Sequence, residues 1–232
     1  MKKSFFIPVL GFAVATMFIS CGGGSKASSS GPLGEIPGLI GEFENLSNKK
    51  KEELKNTKDL KVVEKLMNEM KEAEGKLKTD IEAALPTIKG KEITTEIDPA
   101  LPLKVSKPMK IEAAEATRKW IKLTGELELT AKAIGFHSYQ PTDAFELDKL
   151  YAVFYDNDGK PFALDGVLKD MSSEAMPAGS KVPAETYIRI KAYNAASMGK
   201  LSKLIITLKD SEIYKQAKAA EDALKSSSEK EK

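Results

Sequence analysis

From Ile121 to Ala131 the chain alternates without a fault. Ile121, Leu123, Gly125, Leu127, Leu129 and Ala131 fall on one side, and Lys122, Thr124, Glu126, Glu128 and Thr130 on the other. Successive side chains of an extended chain point to opposite faces, so this is a strand with one face in a core and the other in water. The same period recurs at Ile93, Thr95 and Ile97, at Met109 to Ala113, at Leu150 to Tyr155 and at Phe162 to Leu168. It returns at Thr186 to Tyr193, with Ile188, Ile190 and Ala192 inward, and at Leu201 to Leu208, with Leu204, Ile206 and Leu208 inward. A helical layer cannot bury rows of period two. Two stacked antiparallel sheets can, so residues 89–210 are expected to form a β-sandwich of immunoglobulin-like size.

Upstream the period is helical. Ile36, Leu39, Ile40, Phe43 and Leu46 lie at three- and four-residue spacing, as do Leu66, Met70, Ala73, Leu77, Ile81 and Ala84. Each set makes one apolar stripe. Asn56-Thr57-Lys58-Asp59 supplies capping residues between them, and Pro86 is expected to stop the second helix at Leu85. Glu72 with Lys76 and Glu74 with Lys78 are favourable i,i+4 pairs. Residues 35–88 therefore read as a helical hairpin. A single coiled-coil stalk is the alternative, but Gly75 interrupts a short stripe. After Asp210, Ile213, Ala217, Ala220 and Leu224 mark a last helix within 211–232, able to pack on the first two, with a polar tail from Ser226 expected to be disordered. The fold class is α+β.

The N-terminus carries an address. Lys2 and Lys3 precede an apolar run from Phe5 to Ile19, then Ser20, Cys21 and Gly22-Gly23-Gly24-Ser25. That is the order of a secretory signal, here residues 1–20. The run is shorter than the roughly 20 residues of a transmembrane helix. Phe18-Ile19-Ser20-Cys21 resembles the lipobox of bacterial lipoproteins, with Phe18 at the position usually held by leucine. The resemblance implies that Cys21 is acylated and becomes the first residue of the mature chain. Several acyl chains anchor firmly, at ~0.8 kcal/mol per buried CH₂. Residues 21–34 then form a Gly/Ser-rich tether with a reach of roughly 20 Å. No acidic tract follows Cys21, the first acidic residue being Glu35, so the expected location is the outer membrane, facing the periplasm.

A second resemblance lies in Tyr155-Asp156-Asn157-Asp158-Gly159-Lys160 and Pro177-Ala178-Gly179. These are similar to part of the FxLYD-type domain of bacterial envelope proteins, with Ala152 where that family has Phe and Phe154 where it has Leu. The resemblance implies a sandwich fold and an accessory or binding role.

Composition narrows the chemistry. The formal net charge is +2, and residues 42–80 balance ten basic against ten acidic side chains, so no basic face suggests nucleic acid and no field favours a lipid surface over the solvated reading of Lys49, Lys50 and Lys51. Cys21 is the single cysteine and His137 the single histidine. Disulfides, thiol catalysis and cysteine or histidine metal sites are therefore not expected. No motif near His137 supplies a nucleophile for it to activate. Asp156, Asn157 and Asp158 could open a calcium loop, but the twelfth position would be Val167, so a hairpin turn is expected there. The remaining candidate is aromatic. Among Trp120, Tyr139, Tyr151, Tyr155, Tyr187 and Tyr193, the residues Trp120, Tyr187 and Tyr193 are the candidate ligand platform, with Tyr187 and Tyr193 on the outward row of their strand.

No catalytic residue, metal or cofactor is expected. The sequence reads as an anchored envelope lipoprotein that binds or scaffolds an envelope protein or glycan. The rival readings are a surface adhesin or glycan-binding module, a hydrolase built on two carboxylates in unequal environments, and an oligomeric spacer.

Overall fold

A computed structural model describes residues 31–135, 144–167 and 174–230. The faultless alternation becomes β3 (Trp120–Leu129), where Ile121, Leu123, Leu127 and Leu129 are buried, while Ala131 falls outside it and is exposed. On one side β3 pairs antiparallel with β2 (Leu103–Glu115), and on the other with β8 (Lys181–Arg189). The inward row of β8 is Val182, Ala184, Thr186 and Ile188, opposite Leu127, Gly125, Leu123 and Ile121. The remaining strands are β1 (Glu92–Ile97), β4 (Ala133–Ile134), β5 (Phe145–Glu146), β6 (Leu150–Asp156), β7 (Pro161–Gly166) and β9 (Leu201–Leu208). The helices are α1 (Ile36–Asn56), α2 (Leu60–Ile88), α3 (Ala195–Gly199) and α4 (Glu212–Lys230). The protein is thus mixed α+β.

Seven strands form one continuous sheet in the order β7-β6-β9-β1-β2-β3-β8, and β4 pairs with β5 and bridges through Ala133 to Met176. The sandwich expectation drew two separate sheets. Here the two halves are joined because β1 serves both. Its first residues, Glu92 and Ile93, pair with Lys110 and Met109 of β2, and Thr94 to Ile97 pair with Lys203 to Ile206 of β9. The sheet curls until its outer strands meet, where Arg189 Nε of β8 lies 3.2 Å from Asp165 Oδ2 of β7.

The β1–β9 pairing is parallel, not antiparallel as the sequence suggested. Parity explains it. Three antiparallel steps lead from β1 to β8, so β8 runs against β1. The short connection through α3 then reverses the chain once more, and β9 comes back in the sense of β1.

At the junction β2 is bulged, with register shifts between Val105 and Lys107 and between Lys107 and Lys110. Pro108 sits there, where a missing N–H costs no ladder bond. Thr95 repairs the gap, its Oγ1 accepting from the Met109 amide at 3.0 Å. Gly125 of β3 lies against the bulge. A Cβ there would sit 2.9 Å from the Lys107 carbonyl oxygen and 3.2 Å from that of Pro108.

The hairpin between β6 and β7 is the expected turn. Gly159 has φ +73°, and Asp156 Oδ1 accepts from the amides of Asp158 (3.0 Å) and Lys160 (2.9 Å). The carboxylate of Asp156 is therefore occupied by its own turn.

α1 and α2 are joined through Thr57-Lys58-Asp59 and pack together, Lys50 pairing with Glu69, and Asp59 caps α2 through the Lys61 amide at 2.9 Å. Their inner halves supply Ile36, Ile40, Leu77, Ile81, Ala84 and Ile88 to the core beneath the sheet. α2 does not stop at Leu85. It runs through Pro86 to Ile88, because the proline lies in the last turn and removes only one bond. The ion pairs on α2 are also not the expected ones: Lys76 pairs with Asp80, and Lys78 lies 3.9 Å from Glu82. Leu33 is fully buried, so the body begins inside the segment assigned to the tether over 21–34.

α4 is capped by Ser211, whose Oγ accepts from the Tyr214 amide at 3.0 Å. It packs chiefly on the outer face of the sheet over β6 and β7, where Tyr151 and Tyr214 meet edge to face at 4.9 Å and Ala217 is fully buried. It extends to Lys230, past the expected boundary at Ser226. Ser226 and Ser227 hydroxyls bond to carbonyls one turn back.

Two substitutions test this packing. Gly125→Val should destabilise the fold by about 2 kcal/mol or more, since the added side chain meets backbone rather than a movable group. Thr186 Oγ1 is buried in the core row without a hydrogen-bond partner. Thr186→Val removes that polar atom at equal shape and should be neutral or stabilising by up to about 2 kcal/mol. Urea unfolding followed by circular dichroism measures both.

Candidate functional site: a polar cleft between two helices and a strand end

The strand expected to run to Tyr193 ends at Arg189, and the reason is Asn194. This residue is buried, accepts from the Lys191 amide at 2.8 Å and donates through Nδ2 to the Arg189 carbonyl at 3.1 Å. The side chain closes a turn where a ladder would otherwise continue. Tyr193 therefore does not join the outward row of β8. It is delivered into a cleft of about 570 Å³ between α1, residues 191–193 and the far end of α4.

Hydrogen-bonding groups line this cleft. Glu44, Asn45 and Asn48 come from α1, Tyr193 from the turn, and Ser227 and Ser228 from α4, with Leu224 as its apolar wall. Tyr193 OH donates to Glu221 Oε1 at 3.3 Å, and Lys225 Nζ lies 3.1 Å from Glu221 Oε2 and 5.7 Å above the Tyr193 ring. On the opposite wall Glu44 pairs with Lys119, which also stands 5.1 Å over the Phe43 ring. This pair fixes α1 to the β2–β3 turn. Burial, and then the negative charge of Glu221, push the Tyr193 phenol well above its ordinary pKa. The cleft thus holds a neutral phenol, amides and hydroxyls between two ion pairs, which suits a polar ligand held by hydrogen bonds.

The other two platform residues do come together. Trp120 and Tyr187 meet edge to face at 4.9 Å on the outward face of β3 and β8. Tyr187 donates to Glu185, and Lys122 Nζ lies 2.6 Å from the same carboxylate. The platform is thus split into an aromatic pair on the sheet and Tyr193 in the cleft. Of the other aromatics, Tyr151 lies under α4 and Tyr155 carries Lys203 over its ring at 5.7 Å. Cys21, His137 and Tyr139 lie outside the described residues. Among the described residues no group of three or more His, Cys, Asp or Glu side chains could hold a metal ion.

Glu44, Asn45 and Asn48 of the cleft, and Glu221 and Lys225 behind Tyr193, were not singled out from the sequence. Their only local signal is helical spacing, Glu44 with Asn48 and Glu221 with Lys225. What unites them is packing over more than a hundred residues of chain. Comparison with family models, with curated proteins and with solved structures finds no match for this chain.

The Tyr193 phenol gives the cleft a pH signature. Its folded pKa is raised, so above the ordinary value near 10 the unfolded chain releases a proton that the folded chain retains. The stability it contributes is complete below about pH 10 and is lost as pH rises above that value. Spectrophotometric titration should show a late-titrating phenol that disappears in Tyr193→Phe, and that variant's stability should fall less steeply above pH 10.

Proposed function

We propose that this chain is a lipid-anchored envelope protein, held to the membrane by acyl chains on Cys21 and facing the periplasm, whose folded body binds or scaffolds another envelope component without chemistry of its own. The observation that carries the binding role is where the body exposes apolar surface. Leu46, Leu60, Val62 and Met67 are the large hydrophobic residues most open to solvent among the described residues, and all four lie on the outer halves of α1 and α2. Those halves add nothing to the main core, which closes over the sheet and the inner turns of the same helices. We read them as the arm of a helical hairpin reaching out from an immunoglobulin-like body whose two halves share β1. The turn from Tyr155 to Lys160 is in keeping with the FxLYD-like role suggested by its sequence. No helix among the described residues is long and apolar enough to cross a membrane.

The polar cleft favours a second reading, a glycan-binding module. Its amides, hydroxyls and neutral phenol match the hydroxyls of a sugar, and the Trp120–Tyr187 pair offers a stacking surface on the sheet.

Metabolic labelling with a radioactive fatty acid tests the anchor. The wild-type chain should be labelled and sediment with membranes, whereas Cys21→Ala should lose the label and leave the membrane fraction. Equal labelling of the two chains would remove the lipoprotein reading. Protease treatment of intact cells separates the two binding readings, because a periplasm-facing body stays intact and a surface adhesin is cut.

A further inference from the structure

On α2 the residues Leu60, Val63, Met67, Met70, Glu74, Leu77, Ile81, Ala84 and Ile88 follow one another at alternating steps of three and four. This is a seam of the kind that packs helix on helix. From Leu77 onward it is buried in the protein's own core. Before Glu74 it runs out along the arm, where Leu60 is 82% and Met67 60% exposed. Beside it, Phe43 and Leu54 of α1 and Met67 and Met70 of α2 line an open groove of about 440 Å³, rimmed by Lys51, Lys71 and Glu74. The fold therefore half-buries Val63 and Met70 along the arm but leaves Leu60 and Met67 of the same seam open.

We propose that this open seam docks against the same seam of a second copy of the chain, with the two α2 helices antiparallel and Met67 at the two-fold axis. Charge complementarity selects this occupant. Taking Leu60 and Met67 as a positions, Glu64 and Lys71 both fall at e, flanking the open side of the seam. In an antiparallel pair e faces e, so Glu64 of each copy meets Lys71 of the other, twice over by symmetry. Among the described residues Glu64 and Lys71 have no salt-bridge partner within the chain, whereas Lys50 pairs with Glu69, Lys76 with Asp80 and Lys78 with Glu82. The flank facing α1 carries Leu66, already buried, so the pairing has one open side only.

The size of the face sets its strength. Leu60 to Glu74 spans about 22 Å of helix, and two helices present a width of about 20 Å. A footprint of about 450 Å² per copy is below the roughly 800 Å² of a stable complex. The pairing is weak between freely diffusing molecules and needs the raised local concentration that a shared membrane provides. It rests on the reading of the arm as a binding element and names the partner.

The test is disulfide trapping of the full chain in its own membranes. Met67→Cys places two thiols at the axis, and mild copper-catalysed oxidation should yield a covalent dimer. The unsubstituted chain, with Cys21 alone, is the blank, and Lys215→Cys on exposed α4 measures random collision. Glu64→Lys or Lys71→Glu alone places like charges opposite each other and should cut trapping by roughly fivefold or more. The double variant Glu64→Lys/Lys71→Glu should restore it, which also excludes misfolding as the cause. Trapping no greater than at Lys215→Cys, or trapping indifferent to either single reversal, overturns the proposal. Adducts of a different mass at Met67→Cys would mean that another protein occupies the arm, which defeats the second copy and leaves the binding role. No adduct of any kind would defeat both.

Discussion

The architecture depends on β1 having two partners. Six residues divide their backbone hydrogen bonds between β2 at one end and β9 at the other. A strand that hands over part-way along its length cannot lie in a flat sheet. The neighbour it leaves must bend away, and β2 does so at the bulge around Pro108, with Thr95 Oγ1 taking the amide that loses its ladder partner. The curl that follows brings Arg189 to Asp165 and encloses the core between two halves of one sheet. Gly125 belongs to the same constraint, since any side chain there would hold the bulge off β3.

The site follows from how the chain crosses between those halves. Leaving β8 it must turn within a few residues to enter β9, and buried Asn194 makes that turn. The turn throws Tyr193 outward between α1 and α4. α1 is held there by Lys119 at the β2–β3 turn, and α4 by its packing on β6 and β7. The cleft is thus a by-product of sheet closure that three independent elements happen to frame. A void lined with so many hydrogen-bonding groups fills with water or with a polar ligand, not with apolar side chains.

Local pattern was sufficient for the three long helices and most of the main strands, because burial on one face writes its period into the sequence. It missed β4, β5, α3 and the first half of β2, which are too short or too irregular to show a period. β9 begins at Leu201 where its alternation begins, and Asp59, one of the expected capping residues, caps α2. Pairing was not legible. Period two says that a strand is half buried but not which strand lies beside it, so one coiled sheet with a parallel junction looked like two antiparallel sheets. The end of β8 was misread for a related reason: Ala192 and Tyr193 keep the alternation going, and only the side-chain bonds of Asn194 break it. The extra length of α2 and α4 shows the opposite error. Pro86 and the run Ser226-Ser227-Ser228 are poor helix formers, yet a proline in a last turn removes little, and serine hydroxyls can bond to carbonyls one turn back.

The α2 seam carries information that neither the core nor the helix itself requires. A helix needs apolar residues only where something covers them, and α1 covers one side of α2 through Leu66 and the inner turns. Had selection acted on the monomer alone, Leu60 and Met67 would be better replaced by charged residues, which keep an exposed helix soluble and cost nothing in packing. The surrounding surface follows that rule closely, with lysine and glutamate at most outer positions. Against this background an uncharged stripe in register with the buried seam, flanked by an acid and a base that lie seven residues apart and have no salt bridge among the described residues, is a pattern with a second body in it. A face this small is suited to molecules confined to a plane, where modest affinity suffices and dissociation stays fast.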